Sequence, residues 1–207
     1  MKPSGPHSLR FALRAINAAT FLFSTSGAFF LLLPVYLQQI GSTSSQIGLV
    51  AGVFRIGSLL ARPLAGRLLE RFGRRPVTLV GAGLAIVSVL SLFIFPQPGG
   101  PFLTMRVLQG VGVSLVDSGL GAMVADLSPP LERAQVFAIY TVWMNLAGVL
   151  MPAVGEAIAR HGGFFWLFAV AALVLATALL IAQRLPETGR PRQEQPQPPR
   201  GPGEGAG

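Results

Sequence analysis

The chain has 207 residues, 51% of them hydrophobic and only 12% charged, with a mean hydropathy of +0.59. Soluble domains carry about 25% charged residues, so this composition is too poor in charge to coat a water-facing surface and argues against an ordinary soluble enzyme. The net charge is +8, cysteine is absent and there are two histidines, which excludes disulfides, thiolate metal sites and a cysteine nucleophile and leaves no cofactor to expect.

A membrane-crossing helix needs about 20 mostly apolar residues. Six such runs follow one another, over residues 15–37, 47–65, 77–95, 102–125, 134–155 and 164–182. Arg55 and Arg62 interrupt the second, Arg106 and Asp117 the fourth, and the others carry no charge. The second is the weakest by hydropathy, because an arginine near mid-bilayer costs a few kcal/mol on insertion scales. Short breakers separate the runs: Gly41 with Ser42–Ser45, the Pro96–Pro101 stretch, Pro129-Pro130 and His161-Gly162-Gly163. Such short connections predict antiparallel neighbours. The first run is longer than a signal-peptide core and ends on no clear small-residue cleavage site, so it reads as an anchor. The expected organisation is a cytoplasmic N-terminal segment over 1–14, an all-α six-helix membrane bundle over 15–185 and a disordered cytoplasmic tail over 186–207. Residues 190–207 contain no apolar side chain larger than proline.

Twelve of the sixteen basic residues fall in the two terminal segments and in the second-to-third and fourth-to-fifth connections. Only Arg160 lies in the opposite connections, and Arg55, Arg62 and Arg106 lie within runs. Cytoplasmic loops carry the excess of Lys and Arg, so both termini are expected in the cytoplasm of a multi-pass cell-membrane protein. Topology and anionic headgroups account for the positive charge, and no nucleic-acid partner is expected.

The segment from Gly66 to Pro76, GRLLERFGRRP, resembles the signature loop between the second and third helices of the major facilitator superfamily. Glu70 stands where the family has Asp. Arg62-Pro63-Leu64-Ala65-Gly66 also resembles many members. Arg106-Val107-Leu108-Gln109-Gly110-Val111-Gly112 is similar to the family's Arg-x-x-Gln-Gly-x-Gly, the Asp126–Arg133 turn to its Asp-x-x-Pro…Arg, and Pro186-Glu187-Thr188 to a frequent ending after the sixth helix. Residues 148–155 are similar to a degraded antiporter motif, with Met151 and Glu156 in place of glycines. The resemblance covers roughly residues 10–190 and implies the N-terminal half of a fold built of two six-helix halves, each a 3+3 inverted repeat.

Gly66, Glu70, Arg71, Gly73, Arg74 and Arg75 are the expected gating loop, with Glu70 pairing the arginines in one conformation and releasing them in the other. The plainer reading is a positive-inside anchor. Arg55, Arg106, Gln109, Asp117 and Asn145 are candidates for a substrate or proton pathway. Arg55 and Asp117, each about 15 Å into its helix at 1.5 Å per residue, are expected either to pair across helices or to meet water in a cavity. Arg106 near the outer boundary either snorkels to headgroups or touches substrate. Asn145 is the candidate for a hydrogen bond between helices. Gly110, Ser114 and Ser118, four residues apart, and Gly148 with Pro152 form small-residue stripes that read as helix-packing faces.

The expected function is secondary transport of a small organic solute, drug or sugar efflux by resemblance, driven by a proton or solute gradient, since no phosphate-binding loop occurs. One half cannot enclose the path alone, so a homodimer or a second six-helix half is the expected partner. The alternative is a non-transporting half packed on another membrane protein. A membrane enzyme finds no support: Asp117 and Asp126 make no metal cluster, and His7 and His161 belong to opposite sides.

Overall fold

Residues 6–189 are described by a computed structural model, in which helices follow one another with almost no intervening chain. They are α1 (Pro6–Phe29), α2 (Leu33–Gln39), α3 (Ser44–Phe72), α4 (Arg74–Leu90), α5 (Gly100–Leu127) and α6 (Arg133–Gln183). Local chemistry sets the joints. Pro34 near the start of α2 has no N–H to bond back, and a 3-10 turn over Phe30–Leu32 takes up the break, so α1 and α2 form one bent apolar rod. Thr43 and Gln46 form a reciprocal capping box at the start of α3, with Gln46 N–H donating to Thr43 Oγ1 (3.3 Å) and Thr43 N–H to Gln46 Oε1 (2.9 Å). Gly73 at φ 96° ends α3 and starts α4 in a single residue, a conformation closed to L side chains. α1 begins at Pro6, so most of the expected N-terminal segment is helix.

Among the described residues, five stretches are long and apolar enough to cross a membrane, not the expected six. The reason lies in α6, which runs 51 residues unbroken except at Gly163, where φ is 81°. A straight helix of that length would reach about 75 Å. Instead the chain doubles back at Gly163. Tyr140 and Ala182 share one core cluster, and a Cβ on Gly155 would sit 3.3 Å from Leu167 Cδ1. The helical arms, 133–162 and 164–183, are thus antiparallel.

Two large core clusters lie at opposite ends of the bundle. One gathers Ile16, Leu120, Met123, Tyr140 and Ala182 from α1, α5 and both arms of α6. The other is aromatic, with Phe29, Phe102 and Phe168. α5 is the central helix, with thirteen buried residues against five in α3. It approaches α3 at Gly57 and Gly110, where an added Cβ on Gly110 would strike Phe54 O and Ser58 N (2.9 Å). On its other side it approaches α4: a Cβ on Gly112 would meet Ala85 N at 3.0 Å, and one on Gly81 would meet Val116 N at 3.1 Å. Ser114 is buried and Ser118 half-buried along the expected stripe. Gly148 is exposed with nothing within 4 Å of a Cβ, so the close approach expected there is made by Gly155 instead, against Phe29 and Leu32. Pro152 is half-buried.

The expected tail is not free at its start. Residues 186–189 fold against the α3–α4 joint, because Glu187 and Thr188 find hydrogen-bond partners there. Residues 1–5 and 190–207, including the remainder of that tail, lie outside the described residues.

Candidate functional site

Two regions collect polar chemistry, one at the arginine-rich helix ends and one in a groove at mid-depth.

At the first, α4 starts with Arg74-Arg75-Pro76 and has no acidic residue in its first turn, so its N-terminal N–H groups need an acceptor from elsewhere. Glu187, 113 residues downstream of Arg74, supplies both oxygens: Arg74 N–H donates to Oε1 (2.8 Å) and Arg75 N–H to Oε2 (3.0 Å). The Arg74 side chain then ties two further helix ends. Its Nη1 donates to Leu69 O at the end of α3 (2.7 Å), and its Nε pairs with Asp126 Oδ2 at the end of α5 (3.2 Å). Asp126 at a helix C-terminus faces the negative end of the dipole and is offset by that arginine and by Thr188 Oγ1–H (3.0 Å). Arg75 Nη2 donates to Gln183 O at the end of α6, and its Nε is enclosed with no partner.

Arg74 and Arg75 of the expected gating loop are thus engaged by Glu187 and Asp126 rather than by Glu70. Glu70, exposed in the last turn of α3, makes no ion pair among the described residues. Arg71 is exposed, with its guanidinium 5.2 Å from the Phe72 ring, and Gly66 is exposed with open space around it. Sequence reasoning noted Glu187 only within the ending after the sixth helix and missed its role at the start of α4. The acid-free start of α4 is the signal that a distant carboxylate was required.

At mid-depth, two clefts of about 220 and 230 Å³ share Gly27, Gln109 and Val113 and form one groove along α1 and α5. Arg55, Arg106, Gln109 and Asp117 all line it, so four of the five pathway candidates are brought together. Arg106 does not snorkel. It is 7% exposed, donates through Nη1 to Gln109 Oε1, and lies 4.8 Å from the Phe54 ring and 5.3 Å from the Phe30 ring. Its Nε has no partner. Ser24 and Ser26 add hydroxyls beside Asp117.

Arg55 and Asp117 do not pair. Phe54, next to Arg55, abuts Gly110, and Asp117 lies seven residues beyond Gly110, about 10 Å further along α5. α3 and α5 run side by side in the same direction, so depths counted from opposite ends do not meet. Asn145 stands apart from the groove. Its Nδ2 donates to Thr141 O in its own helix (2.8 Å), on an exposed flank. A third cleft of about 360 Å³ lies between Arg14, Asn17 and Trp143, whose ring meets Phe21 edge-on at 5.9 Å.

The Major Facilitator Superfamily pattern matches residues 15–205. Among curated relatives, the quinolone resistance protein NorA of Staphylococcus aureus is 28% identical over 123 residues, 59% of this chain and 31% of the relative. Multidrug resistance protein 2 of Bacillus subtilis is 26% identical over 152 residues, 72% of this chain and 38% of the relative. The human organic anion transporter MFSD10 (TETRAN) shares the fold at a TM-score of 0.72, with 24% identity over 89% of this chain and 49% of that one. The chain therefore spans about a third to a half of the proteins it matches.

Proposed function

This chain belongs to the Major Facilitator Superfamily of membrane transporters, which are not enzymes, and we propose that it is one six-span half of a secondary transporter that moves a small organic solute by alternating access. α1 with α2 forms the first span, α3, α4 and α5 the next three, and the two arms of α6 the last two. The arginine-rich ends and both termini face the cytoplasm. Drug efflux is the favoured role, on the names of the two curated relatives.

One observation carries this reading. Arg55 and Asp117 lie at mid-span depth, where an unpaired charge is expensive, yet both are exposed on an open groove rather than enclosed among helices. That arrangement suits a path that water and solute enter and that a second body covers. The cover is a second six-helix half or a second copy of this chain, related by an axis along the membrane normal. The Arg74–Glu187–Asp126 cluster binds the helix ends on the cytoplasmic side into one rigid body, and exposed Glu70 and Arg71 are left to engage the covering half when that side closes.

The test is reconstitution of the chain into vesicles carrying an imposed pH gradient, with and without its covering half. Uptake of organic solutes that collapses with a protonophore is the expected result. Absence of gradient-driven flux for every solute under both arrangements rejects the transport role.

A further inference from the structure

The cleft between α1 and the first arm of α6 shares no lining residue with the mid-depth groove. Its 360 Å³ are lined by Arg14, Asn17, Ala18, Phe21, Leu22 and Trp143. Arg10, Arg14, Asn17 with Ala18, and Phe21 with Leu22 recur at three- and four-residue steps along α1. They form one helical stripe, cationic at its start and apolar from Ala18 onward. Arg14 and Phe21 lie about 10 Å apart along the axis. Trp143 supplies the opposite wall, its ring edge-on to Phe21 at 5.9 Å. No carboxylate lines the cleft, and the described ion pairs, Arg74–Asp126 and Arg160–Glu156, do not involve the exposed Arg14. Ala12 shares a core cluster with Leu127 at the end of α5 and Leu185 after α6, so Arg14 belongs to the arginine-rich end of the bundle. It also directly precedes the first apolar run. A cation at that boundary sits at headgroup depth, and the apolar wall beyond it sits in hydrocarbon.

We propose that this cleft binds one anionic phospholipid of the leaflet at the arginine-rich end. Its phosphate diester is held by Arg14 and Asn17, and one acyl chain lies over Ala18, Phe21 and Leu22 against Trp143. A planar guanidinium matches phosphate oxygens two at a time, and the Asn17 amide, one turn deeper, adds a further donor. The cleft offers no carboxylate to an ammonium headgroup, so a net negative lipid is favoured over a zwitterionic one. A free phosphate meets the same guanidinium but leaves the apolar length of the cleft uncovered. The proposal needs a chain that spans a bilayer, which the family gives, and neither transport activity nor a particular orientation.

The experiment uses tryptophan quenching by lipids brominated on their acyl chains. The chain has two tryptophans, so Trp166→Phe leaves Trp143 as the reporter. The full chain is placed in phosphatidylcholine nanodiscs containing rising fractions of brominated phosphatidylglycerol or brominated phosphatidylcholine. Half-maximal quenching of Trp143 should need about fivefold less of the anionic lipid. Arg14→Gln should abolish that preference, and Arg14→Lys, which keeps the charge but not the fork, should retain part of it. Arg14 is exposed, so neither substitution disturbs the core. Trp166, reporting in the Trp143→Phe chain from beside Phe165 near the Gly163 turn, should show no preference. Soluble glycerol phosphate should leave the quenching of Trp143 unchanged. Equal quenching by the two lipids, a preference unmoved by Arg14→Gln, or relief of quenching by glycerol phosphate overturns the proposal. A preference for the anionic lipid without any solute uptake upholds this site and rejects transport alone, whereas uptake without the preference rejects the site alone.

Discussion

Glu187 shows how much a single side chain can hold when it reaches a bare helix start. Its two oxygens accept from consecutive N–H groups of α4, and a third donor, Gly189 N–H, joins Oε1 at 2.9 Å. Capping combined with the helix dipole is worth about 1–2 kcal/mol in partly buried settings. Glu187→Ala should therefore lower the Tm of the purified chain in detergent by a few degrees. Glu70→Gln should leave Tm unchanged, because Glu70 makes no ion pair among the described residues, and on the proposed transport role it should show itself only as slower uptake in vesicles. A matching loss of Tm in both variants would mean that Glu70 shares the cluster. The Arg74 fork reaches Leu69 O and Asp126 at once through two nitrogens, which a lysine ammonium on a single stem does not reproduce.

At the level of elements, glycines fix how closely the helices lie, and the positions that matter are those facing a backbone. Gly110 faces Phe54 O and Ser58 N, whereas Gly148 faces nothing. Gly110→Ala should destabilise the bundle by about 1–3 kcal/mol through forced separation of α3 and α5. Gly148→Ala should be neutral or slightly stabilising, since alanine is the better helix former. Thermal unfolding of the two variants in the same detergent checks the contrast. Both positions look alike in the sequence, as small residues on a helical stripe. Gly163 differs from both because its φ of 81° is what turns α6 back, and Gly163→Ala should cost about 1–2 kcal/mol.

For the whole molecule, everything else turns on the hairpin of α6 and on the proposed cytoplasmic placement of the arginines. Tyr140 and Ala182 share a cluster although 42 residues separate them, whereas a straight helix would hold them about 60 Å apart. The chain has no cysteine, so Tyr140→Cys with Ala182→Cys allows an unambiguous test: a short bis-maleimide should link them efficiently in membranes. No link would count against the hairpin and against the proposed six-span arrangement. Reporter fusions at Arg74 should report the cytoplasm, and a periplasmic or external signal there would invert the proposed orientation.

The runs of apolar residues, their breakers and the distribution of arginine were local properties, and they were enough to establish a membrane bundle and to point at the family. Local patterning also picked out Arg55, Arg106, Gln109 and Asp117, because a polar side chain inside an apolar run is conspicuous whatever surrounds it. Which of these face each other was a different matter. The register between α3 and α5 is set where Gly57 and Gly110 let the two backbones touch, and it puts Arg55 level with Gly110 rather than with Asp117. Likewise Glu187 meets Arg74 only because four helix ends and the segment after α6 converge on one spot. Sequence determined what each helix is made of and where it stops. Tertiary packing alone decided which charges become partners, since contacts between residues far apart in the chain depend on helix register and close approach, which no single segment encodes.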